Sequence, residues 1–179
     1  MKGLWGSKAG KTKTPVGRGW KILLVCMGNI CRSPLAEGVL RQRIGEAGLA
    51  TELSCDSAGT QGYHAGEAPD PRAQQVARER GLDLASLRAR RVMATDFRDF
   101  DWVLAMDRHN LSVLTGECPP EYRHKLQLFL EFAGEAGGEV PDPYYGSIEG
   151  FYEVLTRCER GAAGLIARYR AHVEQGVGD

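Results

Sequence analysis

The stretch that decides the fold is residues 21–34, which read KILLVCMGNICRSP. Residues 22–25 form one continuous apolar run, which predicts a short buried β-strand ending at Cys26. A helix is predicted to follow, with Ser33 as a suitable N-cap and Pro34 as a suitable first helical residue. Apolar residues then recur on one face at helical spacing: Leu35, Val39, Leu40 and Ile44. A short loop therefore joins the end of a strand to the start of a helix.

Such a loop turns backbone N–H groups inward and, with the helix N-terminus, forms a pocket suited to a tetrahedral oxyanion such as phosphate. These dipoles and the guanidinium of Arg32 favour the thiolate form of Cys26. Arg32 can also hold two phosphoryl oxygens in a fork. Gly28 and Asn29 tolerate the left-handed backbone angles that the loop requires. We therefore predict a cysteine nucleophile above a phosphate-binding loop formed by Met27, Gly28, Asn29, Ile30, Cys31, Arg32 and Ser33.

The string Val-Cys-x-Gly-Asn-Ile-Cys-Arg-Ser-Pro resembles the signature of the low-molecular-weight protein tyrosine phosphatases. The resemblance extends from Lys21 to His172, through residues 56–60 (DSAGT), residues 105–107 (AMD) with Asn110, and residues 142–146 (DPYYG). It implies hydrolysis of phosphotyrosine esters through a phosphocysteine intermediate. No metal or other cofactor is required, because Arg32 and the loop amides neutralise the phosphoryl oxygens. The implied substrate is a phosphotyrosine-containing protein, a tyrosine kinase being one candidate.

The resemblance also assigns roles outside the loop. Asp142 is the implied general acid, which protonates the departing phenolate oxygen and then activates the water that hydrolyses the intermediate. Tyr144 and Tyr145 are expected to wall the pocket and stack on an aromatic substrate ring. Tyr63 either flanks the same pocket or is an ordinary exposed loop aromatic.

A supporting network for the loop is expected from the same resemblance. Ser33 can both cap the helix and donate its hydroxyl to the Cys26 thiolate, while Asn29 and Ser57 hydrogen-bond to each other in this family. The chain departs from the family at Leu87, where many relatives carry a histidine before Arg-x-Arg. We therefore expect an altered network.

The cysteines carry a further prediction. Cys31 either packs as a small buried side chain or traps oxidised Cys26 as a reversible disulfide, and the resemblance favours the disulfide. The others are expected to be free thiols: Cys55, Cys118 and Cys158. The odd total of five and the lack of a signal peptide predict a reducing cytoplasm.

No run of 18 apolar residues is present, so no membrane partner is expected. The four histidines lack ligand spacing, which predicts no metal site.

The length of 179 residues and a hydrophobic content of 42% predict one domain. Strands are predicted at Lys21–Cys26, Glu52–Ser57, Asp101–Met106 and Lys125–Leu128, with helices between them. This alternation predicts an α/β fold: a single-domain, doubly wound, four-stranded parallel sheet with helices on both faces and the phosphate-binding loop after the first strand. The last helix is predicted to pack on the sheet through Phe151, Leu155, Cys158, Ala162, Leu165, Ile166, Tyr169 and Val173.

The predicted domain spans residues 21–175 and follows a basic extension, residues 1–20. Residues 1–21 contain six basic residues and no acid. A disordered tail is favoured over a nucleic-acid-binding arm, so no nucleic-acid partner is predicted. No oligomeric state is predicted.

Three alternative functions remain open. An arsenate reductase-like thiol oxidoreductase would use the same loop but needs two further closely spaced cysteines, which this chain lacks between Cys55 and Cys118. Relatives that hydrolyse phosphoarginine tend to carry Thr at the position of Ile30 and to lack the paired tyrosines. A non-catalytic phosphopeptide-binding module would keep the cradle, but it would not need Cys26 and Asp142 together with Arg32.

Overall fold

The computed structural model describes residues 19–176, so the predicted extension lies outside the described residues except for Gly19 and Trp20. Four strands are present: Trp20–Cys26 (β1), Leu53–Gly59 (β2), Trp102–Ala105 (β3) and Leu126–Leu128 (β4). Six α-helices accompany them within this range: Arg32–Glu46 (α1), Pro71–Glu79 (α2), Ala94–Asp99 (α3), Arg108–Glu117 (α4), Phe129–Phe132 (α5) and Ile148–Gly176 (α6). A 3₁₀ helix, Pro120–Lys125, precedes β4. All four predicted strands are therefore found.

The strands form one all-parallel sheet in the order β2-β1-β3-β4. The chain passes from β1 outward to β2 and then crosses to β3 on the other side of β1. This reversal opens a crevice at the carboxyl end of β1, where ligands bind in doubly wound sheets. The predicted fold class is confirmed.

The two faces of β1 explain its unbroken apolar run. Ile22 and Leu24 join the larger core with α1 and α6, whereas Leu23 and Val25 point to the opposite core, which includes Phe97 of α3. Successive strand residues alternate between faces, and both faces of this sheet are covered by helices. The first strand is thus held rigidly beneath the loop that follows it.

Helix α6 covers one side of the molecule and packs chiefly against α1. Its predicted apolar face is buried as far as Tyr169, whose ring lies 5.0 Å from that of Trp20. The prediction was wrong for Val173, which is 37% exposed. The reason is that Trp20 is the first residue of β1, so no strand residue remains to cover the next turn of the helix. None of the helices described between residues 19 and 176 is long and apolar enough to cross a bilayer.

The start of α1 differs from the prediction. The helix begins at Arg32 with Cys31 as its N-cap, so Ser33 is not the N-cap and Pro34 is not the first helical residue. The Ser33 hydroxyl instead lies 3.0 Å from the sulfur of Cys26. Ser33 therefore does not cap the helix, because its hydroxyl contacts the Cys26 sulfur across the loop. The predicted apolar face of α1 is buried.

Candidate active site

The phosphate-binding loop is residues 27–31, between β1 and α1. Three carbonyl groups in and next to the loop bond to the surrounding chain: those of Cys26 and Met27 accept from Thr60 N and Gln61 N at 2.9 Å, and that of Ile30 accepts from Asp70 N at 2.8 Å. The N–H edges of these peptides are therefore turned toward the concave side. Asn29 has a φ of 57°, the left-handed conformation expected of this position. The loop is thus a cradle for an anion above the helix N-terminus.

The sulfur of Cys26 lies within this cradle, and only 2% of the surface of this residue is exposed. It accepts a hydrogen bond from Asn29 N at 3.3 Å and contacts Ser33 Oγ at 3.0 Å. Asn29 Nδ2 donates to Ser33 Oγ at 2.8 Å, so the hydroxyl hydrogen of Ser33 can be directed at Cys26 Sγ, 3.0 Å away, or at the more distant Ala58 carbonyl, 3.4 Å away. The Asn29 N–H and the Ser33 hydroxyl therefore both lie within hydrogen-bond reach of the sulfur.

A directional chain of hydrogen bonds supports the loop from behind. Asn29 Nδ2 donates to Ser57 Oγ at 2.9 Å, which is the predicted contact, and Ser57 Oγ donates to Glu37 Oε2 at 2.5 Å. Asn29 Oδ1 accepts from Arg90 N at 2.9 Å. Both hydrogens and the oxygen of the Asn29 amide are thus used. Burial raises the pKa of the Glu37 carboxyl. The hydrogen bond from Ser57 and the positive charge of the nearby Arg41 oppose that shift without cancelling it.

The expectation of an altered loop-supporting network at Leu87 stays a prediction, and the structure shows an apolar environment for this residue. Leu87 packs against the larger core as a partly buried apolar side chain. The support chain ends instead at Glu37, whose Oε1 lies 2.6 Å from Arg41 on the next turn of α1. The polar chain in this protein therefore ends at an ion pair between the buried Glu37 carboxylate and the exposed Arg41.

The guanidinium of Arg32 is held by two carboxylates and a backbone carbonyl. Its Nη1 donates to Asp107 Oδ2 at 2.5 Å and to the Val140 carbonyl at 3.1 Å, and its Nη2 lies 3.5 Å from Asp142 Oδ2. Burial alone would lower the pKa of Arg32, but electrostatic interaction with Cys26 and the contacts with Asp107 raise it above its ordinary value. The guanidinium remains charged at the floor of the site.

A cavity of about 350 Å³ opens above the sulfur. Its lining includes every residue predicted for the nucleophile, the phosphate clamp, the acid and the aromatic walls: Cys26, Arg32, Asp142, Tyr63, Tyr144 and Tyr145. Tyr63 and Tyr145 are 80% and 97% exposed, so they form a rim rather than a floor. Asp142 Oδ1 accepts from Tyr144 N at 3.1 Å, which orients the carboxyl. The predicted substrate pocket is one continuous space.

The remaining cysteines are buried free thiols. Burial raises the pKa of Cys31, and interaction with Asp70 and Cys26 raises it further. Burial likewise raises the pKa of Cys55 to about 12. These thiols are therefore poor nucleophiles at neutral pH. Within residues 19–176, no group of three His, Cys, Asp or Glu side chains could hold a metal ion.

Three residues of the site were missed by the sequence reasoning. Glu37 lies three and seven residues before Leu40 and Ile44 on the buried face of α1, a spacing that could have revealed it. Asp107 follows β3, beside the switch point of the sheet, and the resemblance assigned it no role. His64 was excluded as a metal ligand, as one of four histidines without ligand spacing. It lines the cavity, and its Nδ1 contacts Glu67 Oε2 at 2.8 Å.

Comparison with known proteins agrees with this geometry. Residues 21–175 match the family model described as low molecular weight phosphotyrosine protein phosphatase. A low molecular weight protein-tyrosine-phosphatase of Streptomyces coelicolor is 42% identical over 159 residues, which cover 87% of this chain and 96% of that protein. The crystal structure of a protein tyrosine phosphatase from Entamoeba histolytica superposes with a TM-score of 0.81 and 40% identity, covering 86% of this chain and 98% of that one. Vibrio vulnificus Wzb in complex with benzylphosphonate has a TM-score of 0.73 and 30% identity, covering 86% and 99%.

Proposed function

The chain belongs to the low molecular weight phosphotyrosine protein phosphatase family, whose members are metal-independent protein-tyrosine phosphatases, and we propose that its phosphocysteine chemistry is carried out by Cys26, Arg32 and Asp142. One observation carries this proposal: the three side chains line a single cavity, and Arg32 contacts Asp142 across it. A nucleophile, an anion clamp and an acid are the groups that phosphate-ester cleavage requires.

In the first step, the Cys26 thiolate attacks phosphorus and the bond to the phenolate oxygen breaks. The charge on the equatorial oxygens is met by the loop N–H groups and by the fork of Arg32. Asp142, in its protonated form, gives its proton to the departing oxygen, so the leaving group departs as a neutral phenol. The product is phosphocysteine and ionised Asp142.

In the second step, ionised Asp142 takes a proton from water as the water attacks phosphorus. The S–P bond breaks and its electron pair returns to Cys26 as a thiolate. Ser33 Oγ, 3.0 Å from the sulfur, can donate to that developing charge. Phosphate leaves, Asp142 is again protonated, and the starting state is restored without any cofactor.

The cavity favours an aryl phosphate. Tyr144 and Tyr145 meet edge to face with ring centroids 4.9 Å apart, and Tyr63 completes a tall aromatic rim. Such rims stack on a substrate ring. Benzylphosphonate, the ligand of the Vibrio vulnificus relative, combines an aromatic ring with a phosphonate. We therefore propose a phosphotyrosine-containing protein, a tyrosine kinase being one candidate, as the substrate.

The same site carries the redox proposal for Cys31. Peroxide would convert the Cys26 thiolate to a sulfenic acid, and attack by Cys31 would then release water and form a disulfide that shields the nucleophile until a thiol reduces it. Because burial raises the pKa of Cys31, this disulfide should form slowly at neutral pH and faster as the pH rises. We expect Cys31→Ser to recover less activity than the native chain after brief peroxide exposure and thiol treatment. Equal recovery would contradict this role. All five cysteines lie in the described range and are unpaired, which supports a reducing cytoplasm as the location.

The test of the proposed function is phosphate release from phosphotyrosine and from phosphoarginine, side by side in excess EDTA. The native chain should release phosphate from phosphotyrosine preferentially. Cys26→Ser should release none while still binding inorganic phosphate. Turnover by Cys26→Ser would contradict the nucleophile assignment, and a preference for phosphoarginine would contradict the substrate class.

A further inference from the structure

Arg72, in the first turn of α2, reaches the loop that carries Asp142. Its Nη2 donates to the Tyr144 carbonyl at 3.0 Å and its Nη1 to the Gly146 carbonyl at 3.1 Å. Residues 142–146, defined here as the acid loop, are therefore held by a guanidinium that is not part of the reaction centre. Two carbonyls two residues apart fix both the position and the tilt of the loop.

Asp70 holds Arg72 in turn. Its Oδ1 accepts from Arg72 N at 2.8 Å and from Arg72 Nε at 3.0 Å, and its Oδ2 accepts from Arg72 Nη2 at 2.9 Å. Burial alone would raise the pKa of Asp70, but these bonds lower it below its ordinary value. The backbone of Asp70 also donates to the Ile30 carbonyl of the phosphate-binding loop at 2.8 Å. The Asp70–Arg72 pair is thus anchored on the phosphate-binding loop through the backbone of Asp70.

Aromatic packing fixes the guanidinium plane. Arg72 Cζ lies 4.5 Å from the ring centroid of Phe151, which is fully buried, and 5.8 Å from that of Tyr144. Arginine stacks in this way while its edge still makes forked hydrogen bonds, which lysine cannot do. The side chain therefore joins the start of α6, the acid loop and the phosphate-binding loop at one point.

From these contacts we infer that Arg72 is a positioning residue that sets the distance between the acid loop and the phosphate-binding loop. The inference rests on the proposed role of Asp142. Tyr144 transmits the effect, because its carbonyl accepts from Arg72 while its N–H donates to Asp142 Oδ1 at 3.1 Å. Pro143 lies between them and limits the rotation of the intervening backbone. Fixing the backbone of Tyr144 therefore fixes the position of the Asp142 carboxyl, the proposed proton donor to the leaving group.

The experiment compares Arg72→Met and Arg72→Lys with a matched control, Arg78→Gln, which changes an exposed arginine of the same helix. The measured quantity is kcat/KM, which covers the steps up to release of the phenol, for phenyl phosphate and for p-nitrophenyl phosphate. A displaced acid matters most when the leaving oxygen is basic, so Arg72→Met should lose about tenfold or more with phenyl phosphate. The loss with p-nitrophenyl phosphate should be at most about threefold. Arg72→Lys should show the same pattern, and Arg78→Gln should match the native chain.

Two further measurements separate positioning from a general structural effect. The inhibition constant of inorganic phosphate should stay unchanged in Arg72→Met, since the Asp70 N to Ile30 bond belongs to the backbone. Hydrogen exchange should quicken at the amides of Tyr144 and Gly146 but not at residues 27–31. Equal losses with both substrates, weakened phosphate inhibition or unchanged exchange would overturn the inference. Failure of the proposed function would look different, because Cys26→Ser would then keep its turnover.

Discussion

The side chain of Asn29 offers the sharpest test of how the phosphate-binding loop is held. Asn29→Ala removes its hydrogen bonds with Ser33, Ser57 and the backbone of Arg90. Each buried hydrogen bond contributes about 1 kcal/mol net, so their loss costs about 3 kcal/mol. Alanine is also less tolerant than asparagine of the φ of 57°, which adds about 1 kcal/mol. We expect the free energy of unfolding to fall by about 4 kcal/mol.

Asn29→Gly separates the two contributions, because glycine makes none of the three hydrogen bonds but adopts a positive φ freely. It should lose about 3 kcal/mol, which is about 1 kcal/mol less than alanine. Ser57→Ala removes two hydrogen bonds, one from Asn29 and one to Glu37, and should lose about 2 kcal/mol. Together the three variants form a graded series.

Urea unfolding of the four proteins measures these differences, with the slope m checked for constancy so that a shifted midpoint reports stability. If Asn29→Ala and Asn29→Gly are equally stable, the strain argument fails. If both lose less than about 1 kcal/mol, the three hydrogen bonds contribute much less than buried bonds normally do. The second result would remove Asn29 as the centre of the support chain.

Three other changes probe the same region. Ser33→Ala removes the hydroxyl facing the Cys26 sulfur and should slow steady-state turnover by about tenfold or more while the initial burst of phenol persists; equal slowing of burst and turnover would contradict a role in thiolate departure. Gly59→Ala places a methyl 2.6 Å from the Met27 carbonyl and should weaken inhibition by phosphate, whereas Gly45→Ala, whose methyl meets open space, should not. Because burial raises the pKa of Glu37 above its ordinary 4.5, the folded state binds its proton more tightly than the unfolded state. The native chain should therefore lose stability relative to Glu37→Gln as pH rises above 4.5, and urea midpoints with a pH-independent difference would contradict this.

The sheet could be predicted from local pattern because both faces of β1 are covered. A run such as residues 22–25 has one compatible environment in an α/β fold, the interior of a parallel sheet. The predicted strand bounds are therefore within two residues of those observed. The bridge between Gly59 and Arg91 could not be predicted in this way. It joins positions 32 residues apart through a segment with no strand pattern of its own.

In the active site, too, the residues in a local sequence pattern were predicted and the residues that act through long-range contacts were not. The cradle is local, so one string of residues was sufficient to predict Cys26, Arg32 and the loop between them. Glu37 and Asp107 act through contacts that only folding creates, 20 residues away at Ser57 and 75 residues away at Arg32. For Ser33, the local pattern itself gave a wrong prediction, because this residue is not the N-cap of α1. Its local preference for an N-cap was overridden by a contact across the loop, because the sulfur and the Asn29 amide offer its hydroxyl two partners.

The two carboxylates beside Arg32 differ in a way that bears on catalysis. Asp107 holds Nη1 at 2.5 Å and is mostly buried, whereas Asp142 lies 3.5 Å from Nη2 and is 43% exposed. A contact at 3.5 Å is long and weak, so under the proposed mechanism an arriving phosphoryl group would displace Asp142 more readily than Asp107. Asp107 then keeps the guanidinium oriented while Nη2 turns to the phosphate. Displacement frees the Asp142 carboxyl to meet the leaving oxygen, so under the proposed mechanism substrate binding itself prepares the acid.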